Sequence, residues 1–398
     1  MVRLRGVPVI VLAWLLAAAA PAAGQDGADG DGLTITSDAL EIDFGGRVQL
    51  QAVGSPCADF PFEEGSPCAE QAPAVDMFVR RARLAMEIQI SELIDAKIQP
   101  EFGSIDQVEL KDAWGRLSFH PAFRVKLGHY KRPFDGFQLT SSTRILTIER
   151  DLDLPGVPGT VAASLDEFTT RFRVSDRDIG VQAHGTAPGT GFEYWLGVFN
   201  GQGPADDADV NSGKQVVGRA QYSFTVGPSL PLAVAVAGAS TDLPFTGAGD
   251  QPGVPASGER YANWELWAEL GDFTPGPHVQ VGVVLGDNPL ENEAGGTPDP
   301  AGGEDVELAG TRAWQAVGAY RMALPDTDLL ASVEPAFRVT RAEPNTDVDD
   351  DEIWGFTPGV NLYFHGRNRL MLNWDVVSFD DDGLDTTGSF KAQFQAHF

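Results

Sequence analysis

Phe390-Lys391-Ala392-Gln393-Phe394-Gln395-Ala396-His397-Phe398 closes the chain with apolar side chains at every even position and polar ones at every odd position. A period of two marks a β-strand with one apolar and one polar face. The same alternation sets Ala262, Trp264, Leu266, Ala268 and Leu270 against Tyr261, Asn263, Glu265, Trp267 and Glu269. It also sets Ile94, Ala96, Ile98 and Phe102 against Asp95, Lys97, Gln99 and Glu101. Cutting the chain at its turn signals predicts about sixteen such strands, near 38–53, 76–90, 93–103, 109–119, 121–130, 173–187, 191–200, 214–226, 230–241, 259–271, 277–286, 306–323, 327–341, 352–364, 367–378 and 387–398.

The predicted connections alternate in length. Short turns such as Ser91-Glu92, His120-Pro121 and His365-Gly366 are followed by long loops at 54–75, 131–172, 201–213, 242–258, 287–305, 342–351 and 379–386, with 104–108 the short exception. Short turns on one side and long loops on the other are the pattern of an outer-membrane barrel, and strands of about ten residues suffice to cross a bilayer at a tilt. The expected fold is all-β: a transmembrane antiparallel β-barrel of about sixteen strands spanning 38–398. A soluble sandwich has no need of the loop alternation or of the aromatic last residue. Beyond the leader no stretch approaches ~18 consecutive apolar residues, which excludes a helical membrane protein.

Residues 1–24 carry Arg3 and Arg5, an apolar run and Ala22-Ala23-Gly24, the layout of a secretory signal peptide. Residues 25–37 read as a Gly/Asp-rich periplasmic linker. Export makes Cys57 and Cys68, in the near-repeats Gly54-Ser55-Pro56-Cys57 and Gly65-Ser66-Pro67-Cys68, an expected loop-closing disulfide. No histidine lies near enough to make them a metal site, and no cofactor is expected.

The chain holds 57 acidic and 28 basic side chains, a formal charge of −29, which excludes a nucleic-acid partner. Its location matters more than its size. The six long loops other than 131–172 contain 24 acidic residues and no lysine or arginine. Such runs could bridge to anionic lipopolysaccharide through divalent cations, but the glycine of an EF-hand loop is absent and simple solvation of exposed loops is the better account. Apolar faces must meet lipid, because a charge at mid-bilayer costs ~2–4 kcal/mol. The lumen then receives Arg47, Arg81, Arg83, Lys97, Arg116, Arg124, Lys126, Arg219, Arg321, Arg338, Arg369 and Lys391. Against these twelve bases stand eight acids: Glu87, Asp95, Glu101, Asp112, Glu265, Glu269, Glu334 and Asp375.

Loop 131–172 is the longest connection and differs in kind. It mixes Lys131, Arg132, Arg144, Arg150 and Arg171 with six acids and carries apolar anchors such as Phe134, Phe137, Leu146 and Ile148. A long loop with its own apolar side chains packs on something, and the available surface is the lumen wall.

Several short motifs here resemble one family. Phe78-Val-Arg-Arg-Ala-Arg-Leu-Ala-Met-Glu87, Lys97-Ile-Gln-Pro-Glu-Phe-Gly103, Val108-Glu-Leu-Lys-Asp-Ala-Trp114, Gly128-His-Tyr-Lys-Arg-Pro-Phe134, Leu139-Thr-Ser-Ser142 and Glu149-Arg150 are similar in order and spacing to the phosphate-selective porin O and P family, with a weaker return at Gly197-Val-Phe-Asn-Gly201. The resemblance implies a sixteen-stranded trimeric outer-membrane porin with a constriction loop in the lumen, arginines descending the pore and lysines at the narrowing. Carried over by motif, the anion path would hold Arg81, Arg83, Lys97, Arg116, Lys131, Arg132, Arg144 and Arg150; lumen phase adds Arg124 and Lys126. This chain departs from that pattern in its acidic rim and in the acids of the constriction loop.

The expected function is passive diffusion of small hydrophilic solutes, with anions and phosphate preferred. A barrel serving as an anchor or adhesin is the alternative. An enzyme is not expected, because none of the six histidines stands in a Gly-x-Ser-x-Gly or HExxH context.

Overall fold

In the computed structural model the alternating stretches form one antiparallel sheet that closes on itself. It describes residues 33–37, 40–54, 75–104, 107–152, 154, 162–201, 213–242, 260–292, 307–325, 329–364, 366–380 and 386–398. In chain order the elements are β1 (Thr34–Thr36), β2 (Glu41–Gly54), β3 (Val75–Gln89), β4 (Ile94–Ser104), β5 (Gln107–His120), β6 (Phe123–Lys131), α1 (Gly136–Leu139), α2 (Leu165–Arg171), β7 (Arg177–Ala187), β8 (Phe192–Phe199), β9 (Gln215–Val226), β10 (Leu230–Asp242), β11 (Arg260–Leu270), β12 (Gly276–Asn292), β13 (Leu308–Ala323), β14 (Ser332–Glu343), β15 (Ile353–Tyr363), β16 (Arg369–Phe379) and β17 (Thr387–His397). Each strand from β2 onward pairs with the next, and β17 pairs with β2, giving a closed sixteen-stranded ring. Closure satisfies every strand edge, which a bilayer without water demands.

The period of two holds along the ring. On β11, Trp264 and Leu266 are exposed on the outer face while Asn263 and Glu265, which alternate with them, are buried on the inner one. Three departures from the expected pattern have local causes. Thr34–Thr36, expected as linker, pairs antiparallel with Glu41–Asp43 of β2. The strand expected from 173 starts at Arg177, because Arg173 and Asp176 adopt left-handed backbone, with φ of 56° and 61°. Left-handed residues break an extended run, so the long loop continues to 176. The strand expected from 327 starts at Ser332, after a turn in which the Leu324 amide donates to the Ala331 carbonyl at 2.9 Å.

A fourth departure moves a charge. Gln49 pairs with Arg81 but Leu50 with Val79, so Arg80 is the extra residue of a β-bulge. Strict alternation would send Arg80 to the face opposite Arg81, yet both reach the same carboxylate inside the barrel.

The ring is sealed at its last residue. The Phe398 amide donates to the Gly46 carbonyl at 3.1 Å, and the Gly46 amide returns a bond at 2.8 Å. A Cβ at Gly46 would stand 2.7 Å from the Phe398 ring, so only glycine leaves room for it.

The apolar core lies inside the ring, between the long loop and the wall. Phe134, Phe137, Leu146, Leu165, Phe168 and Phe172 of the loop pack on Tyr261, Trp267, Val284 and Val317 of the strands. Leu152, Leu154 and Ala163 form a second patch on Ile353 and Val377. Each fully buried Phe or Leu contributes about 1.5–3 kcal/mol, enough together to hold the loop down.

Candidate ion channel and its constriction

The described part of the connection between β6 and β7 is tied to the wall by backbone and charge. Arg132 is 1% exposed; it donates to the carbonyls of Arg173 and Ser175 and to Gln215 Oε1, with the Asp178 carboxylate 3.5 Å away. This corrects the expectation that Arg132 lines the anion path: it fastens the base of the loop. Asp135, at φ 64°, caps α1, its Oδ1 accepting from the amides of Phe137 at 2.9 Å and Gln138 at 3.3 Å. Across from it, Glu265 of β11 accepts the amides of Asp135 (3.0 Å) and Gly136 (2.7 Å) and the guanidinium of Arg219 (2.8 Å). Phe137 stands edge-on to Trp267 at 4.6 Å.

Further along, inward side chains take the loop's carbonyls. Gln49 donates to Ser142, Asn361 to Leu146, and Arg338 to Glu149 and Arg150, all between 2.8 and 3.2 Å. Tyr261 closes the far end on the Phe172 carbonyl at 2.6 Å. A buried polar group left unpaired costs about 1–3 kcal/mol, so these bonds set the loop's position as firmly as its apolar side chains do.

Gly136 tests that seat. A Cβ there would lie 2.2 Å from the Trp267 ring, and overpacking of this kind costs about 1–3 kcal/mol. Gly136→Ala is expected to lift the loop and change single-channel conductance; an unaltered conductance would show that this contact does not position it.

The loop packs mainly on the wall from β10 to β17 and touches β2 and β3 through Gln49, Arg80 and Arg81, leaving the open space against β2 to β9. Two cavities occupy it. The larger, about 740 Å³, is lined by eight basic side chains (Arg47, Arg83, Lys97, Lys126, Lys131, Arg177, Arg219 and Arg367) and four acidic ones (Asp43, Glu87, Asp112 and Glu193). It lies on the short-turn side, since Phe398 also lines it. The smaller, about 320 Å³, is nearly balanced, with seven basic and six acidic side chains. Arg83 and Arg177 line both, so they stand where the two meet.

The expected path residues divide accordingly. Arg81 joins Arg80 on the Glu149 carboxylate, at 2.8 and 2.7 Å. Arg83 is ion-paired with Glu101, Lys97 with Glu87 and Arg116 with Asp95. Lys126 lies over the rings of Trp114 (4.4 Å) and Tyr130 (4.2 Å), Lys131 donates to the Gln138 carbonyl, and Arg150 donates to the carbonyls of Phe137 and Thr140. Arg116 and Arg124 line a third cavity beside the short turn at His120-Pro121. Arg144 is exposed, over the Phe273 ring at 5.4 Å, and lines none of these cavities. Of the inward bases, Arg338, Arg369 and Lys391 are buried behind the loop, so the sequence tally of twelve overstates the charge a solute meets.

Sequence reasoning missed Arg177 and Arg80. Arg177 shares strand parity with Ile179 and Val181, which face outward; the left-handed turn at Asp176 and ion pairs to Asp112 (3.0 Å) and Asp176 (3.3 Å) bring it in. Arg80 was hidden by its bulge. The motif Arg80-Arg81-Ala82-Arg83 was the one available signal for both the bulge and the cluster.

Burial also changes the loop's charge. It would by itself raise the Glu149 carboxyl, but Arg81 and Arg80 override it and hold the group at about 2. At Asp166 burial, reinforced by the neighbouring Asp135 and only partly offset by Arg150, pushes the carboxyl well above the ordinary carboxylate range. Burial likewise raises Asp151 and Glu167, so the smaller cavity is less negative than its six acids suggest.

A model of the family "Phosphate-selective porin O and P" matches residues 69–265, the half of the chain holding Arg80 to Arg83, the constriction loop and Arg177. The chain belongs to this family. Solved structures agree on the fold of this porin. OmpF of Salmonella typhi, in complex with daunomycin, is 14% identical with a TM-score of 0.56, covering 92% of this chain and 100% of its own. OprB of Pseudomonas putida gives 11% and 0.59 over 90% and 94%, and an anion-selective porin from Comamonas acidovorans 12% and 0.55 over 90% and 100%. Identities this low carry architecture and not solute. No curated protein matches the chain in sequence. Family and fold together make the protein an outer-membrane porin channel, its lumen narrowed by the loop between β6 and β7.

Proposed function

We propose that this porin passes small hydrophilic solutes by passive diffusion and prefers anions, phosphate among them. The observation that carries the reading is the larger cavity, where basic side chains outnumber acidic ones two to one and face the open side of the barrel. A charged wall between low-dielectric surfaces concentrates counter-ions, and an acidic rim acts only within a screening length of about 8 Å at physiological salt. No step in this function makes or breaks a covalent bond. In a KCl gradient across a planar bilayer the reversal potential is expected on the chloride side, with phosphate blocking chloride current; a potassium-side potential would show that rim and loop acids dominate.

Asp166, Asp151 and Glu167 give this preference a pH dependence. Their raised titrations leave them partly neutral in acid, and each gains negative charge beside the narrow point as pH rises. Anion preference should therefore fall as pH rises above the ordinary carboxylate range. The same reversal-potential measurement checks this, and a ratio that rises with pH would contradict the sign.

Assembly and processing extend the reading. OmpT of Vibrio cholerae, similar in fold, has been solved in a trimer form, which supports a homotrimer here. The signal peptide 1–24, the Cys57–Cys68 disulfide and, except for 342–351, most of the acidic loops proposed to meet lipopolysaccharide lie outside the described residues; mass spectrometry of the exported chain tests the first two.

A further inference from the structure

The inner face around Lys126 is built unlike the rest of the channel. Three rows of paired residues cross β5 to β8 there. Trp114 pairs with Gly128, Gly128 with Gly180 and Gly180 with Phe199. One step toward the short turns, Arg116 pairs with Lys126, Lys126 with Gln182 and Gln182 with Gly197. One step further, Arg124 pairs with His184 and His184 with Trp195. Successive inward rows are about 7 Å apart, so Trp114 and Trp195 flank the Lys126 row on either side. Gly128, at φ 126°, tolerates no side chain: a Cβ would meet the Trp114 backbone at 2.8 Å.

Lys126 makes no ion pair with a described residue; its ammonium is held by the faces of Trp114 and Tyr130 alone. A cation held this way keeps its charge available, since an aromatic face attracts it without neutralising it. Trp114, Trp195 and Lys126 all line the 740 Å³ cavity, a volume typical of sites for organic molecules and far beyond what an inorganic oxoanion fills. The surface therefore offers a positioned ammonium beside indole faces, within a wall of further cations.

We propose that this cavity binds small aromatic carboxylates, the carboxylate on Lys126 and the ring against Trp114. The inference rests on the anion-preferring reading and narrows it to a class with a planar apolar body. A ring stacked on indole gains attraction beyond its buried area, which benzoate collects and acetate does not.

The test is block of KCl current through the full chain in a planar bilayer, titrated separately with benzoate, acetate and inorganic phosphate. Benzoate should half-block at a concentration roughly three- to tenfold below acetate and phosphate. Trp114→Leu should erase the gap, Trp114→Phe should keep most of it, and Lys126→Gln should weaken both carboxylates; heat-modifiable gel mobility confirms that each variant is folded. Equal block by benzoate and acetate, stronger block by phosphate, or a gap that survives Trp114→Leu would overturn the site. Reversal potential, read before any carboxylate is added, separates the two ideas. A chloride-side potential without benzoate preference removes this site alone, whereas a potassium-side potential with benzoate block intact removes the general anion preference and keeps the site.

Discussion

Arg83→Gln combined with Arg177→Gln should lower the chloride-to-potassium permeability ratio about tenfold, and the double glutamate variant should reverse the sign of the reversal potential. The two arginines are the side chains common to both cavities, so every ion crossing the junction passes them. A unit charge about 5 Å from a passing ion, at an effective dielectric near 20, is worth about 3 kcal/mol before screening, which exceeds the 1.4 kcal/mol of a tenfold change. Their removal also uncovers Glu101 and Asp112, which adds to the swing. Reversal potentials in a tenfold KCl gradient read the result. A double variant indistinguishable from the parent would place the filter elsewhere, with Lys97 and Lys131 the next residues to neutralise.

Glu265→Ala should release the constriction loop. The substitution strips a partner from two backbone amides and from Arg219, and breaking a buried pair by removing one member costs about 3–5 kcal/mol. Expected consequences are larger, noisier single-channel currents and tryptic cleavage at Arg150, which the packed loop protects. Glu265→Gln retains an acceptor and should be milder. A quiet trace and an intact loop in the alanine variant would show that the Arg338 and apolar contacts suffice by themselves.

Much of this was legible in the sequence, and for one reason. A bilayer forces every spanning strand into the same two-residue rhythm, so Trp264-Glu265-Leu266-Trp267 announced both its secondary structure and its orientation. The rhythm fails wherever the backbone departs from an extended path. The bulge at Arg80 and the left-handed Asp176 each moved an arginine to the face that parity had denied it. Residues of one parity also cannot be sorted by what later covers them: Arg338 and Arg83 read alike along their strands, yet one is buried beneath the loop and the other stands at the junction. Arg132 misled differently, because its motif marked the loop's root and a buried tie there looks in sequence like a lumen charge.

The seam at Phe398 bears on how the molecule is made. The last residue of the chain bonds to Gly46 near the start of β2, so the contact that completes the ring joins residues from opposite ends of the barrel. Contacts of such long sequence separation form late and slowly. Until β17 reaches β2 the sheet keeps two open edges, and replacing Phe398 removes the ring that rests on Gly46. Unpaired strand edges invite pairing with other chains, so the open sheet must be shielded from aggregation until β17 and β2 meet.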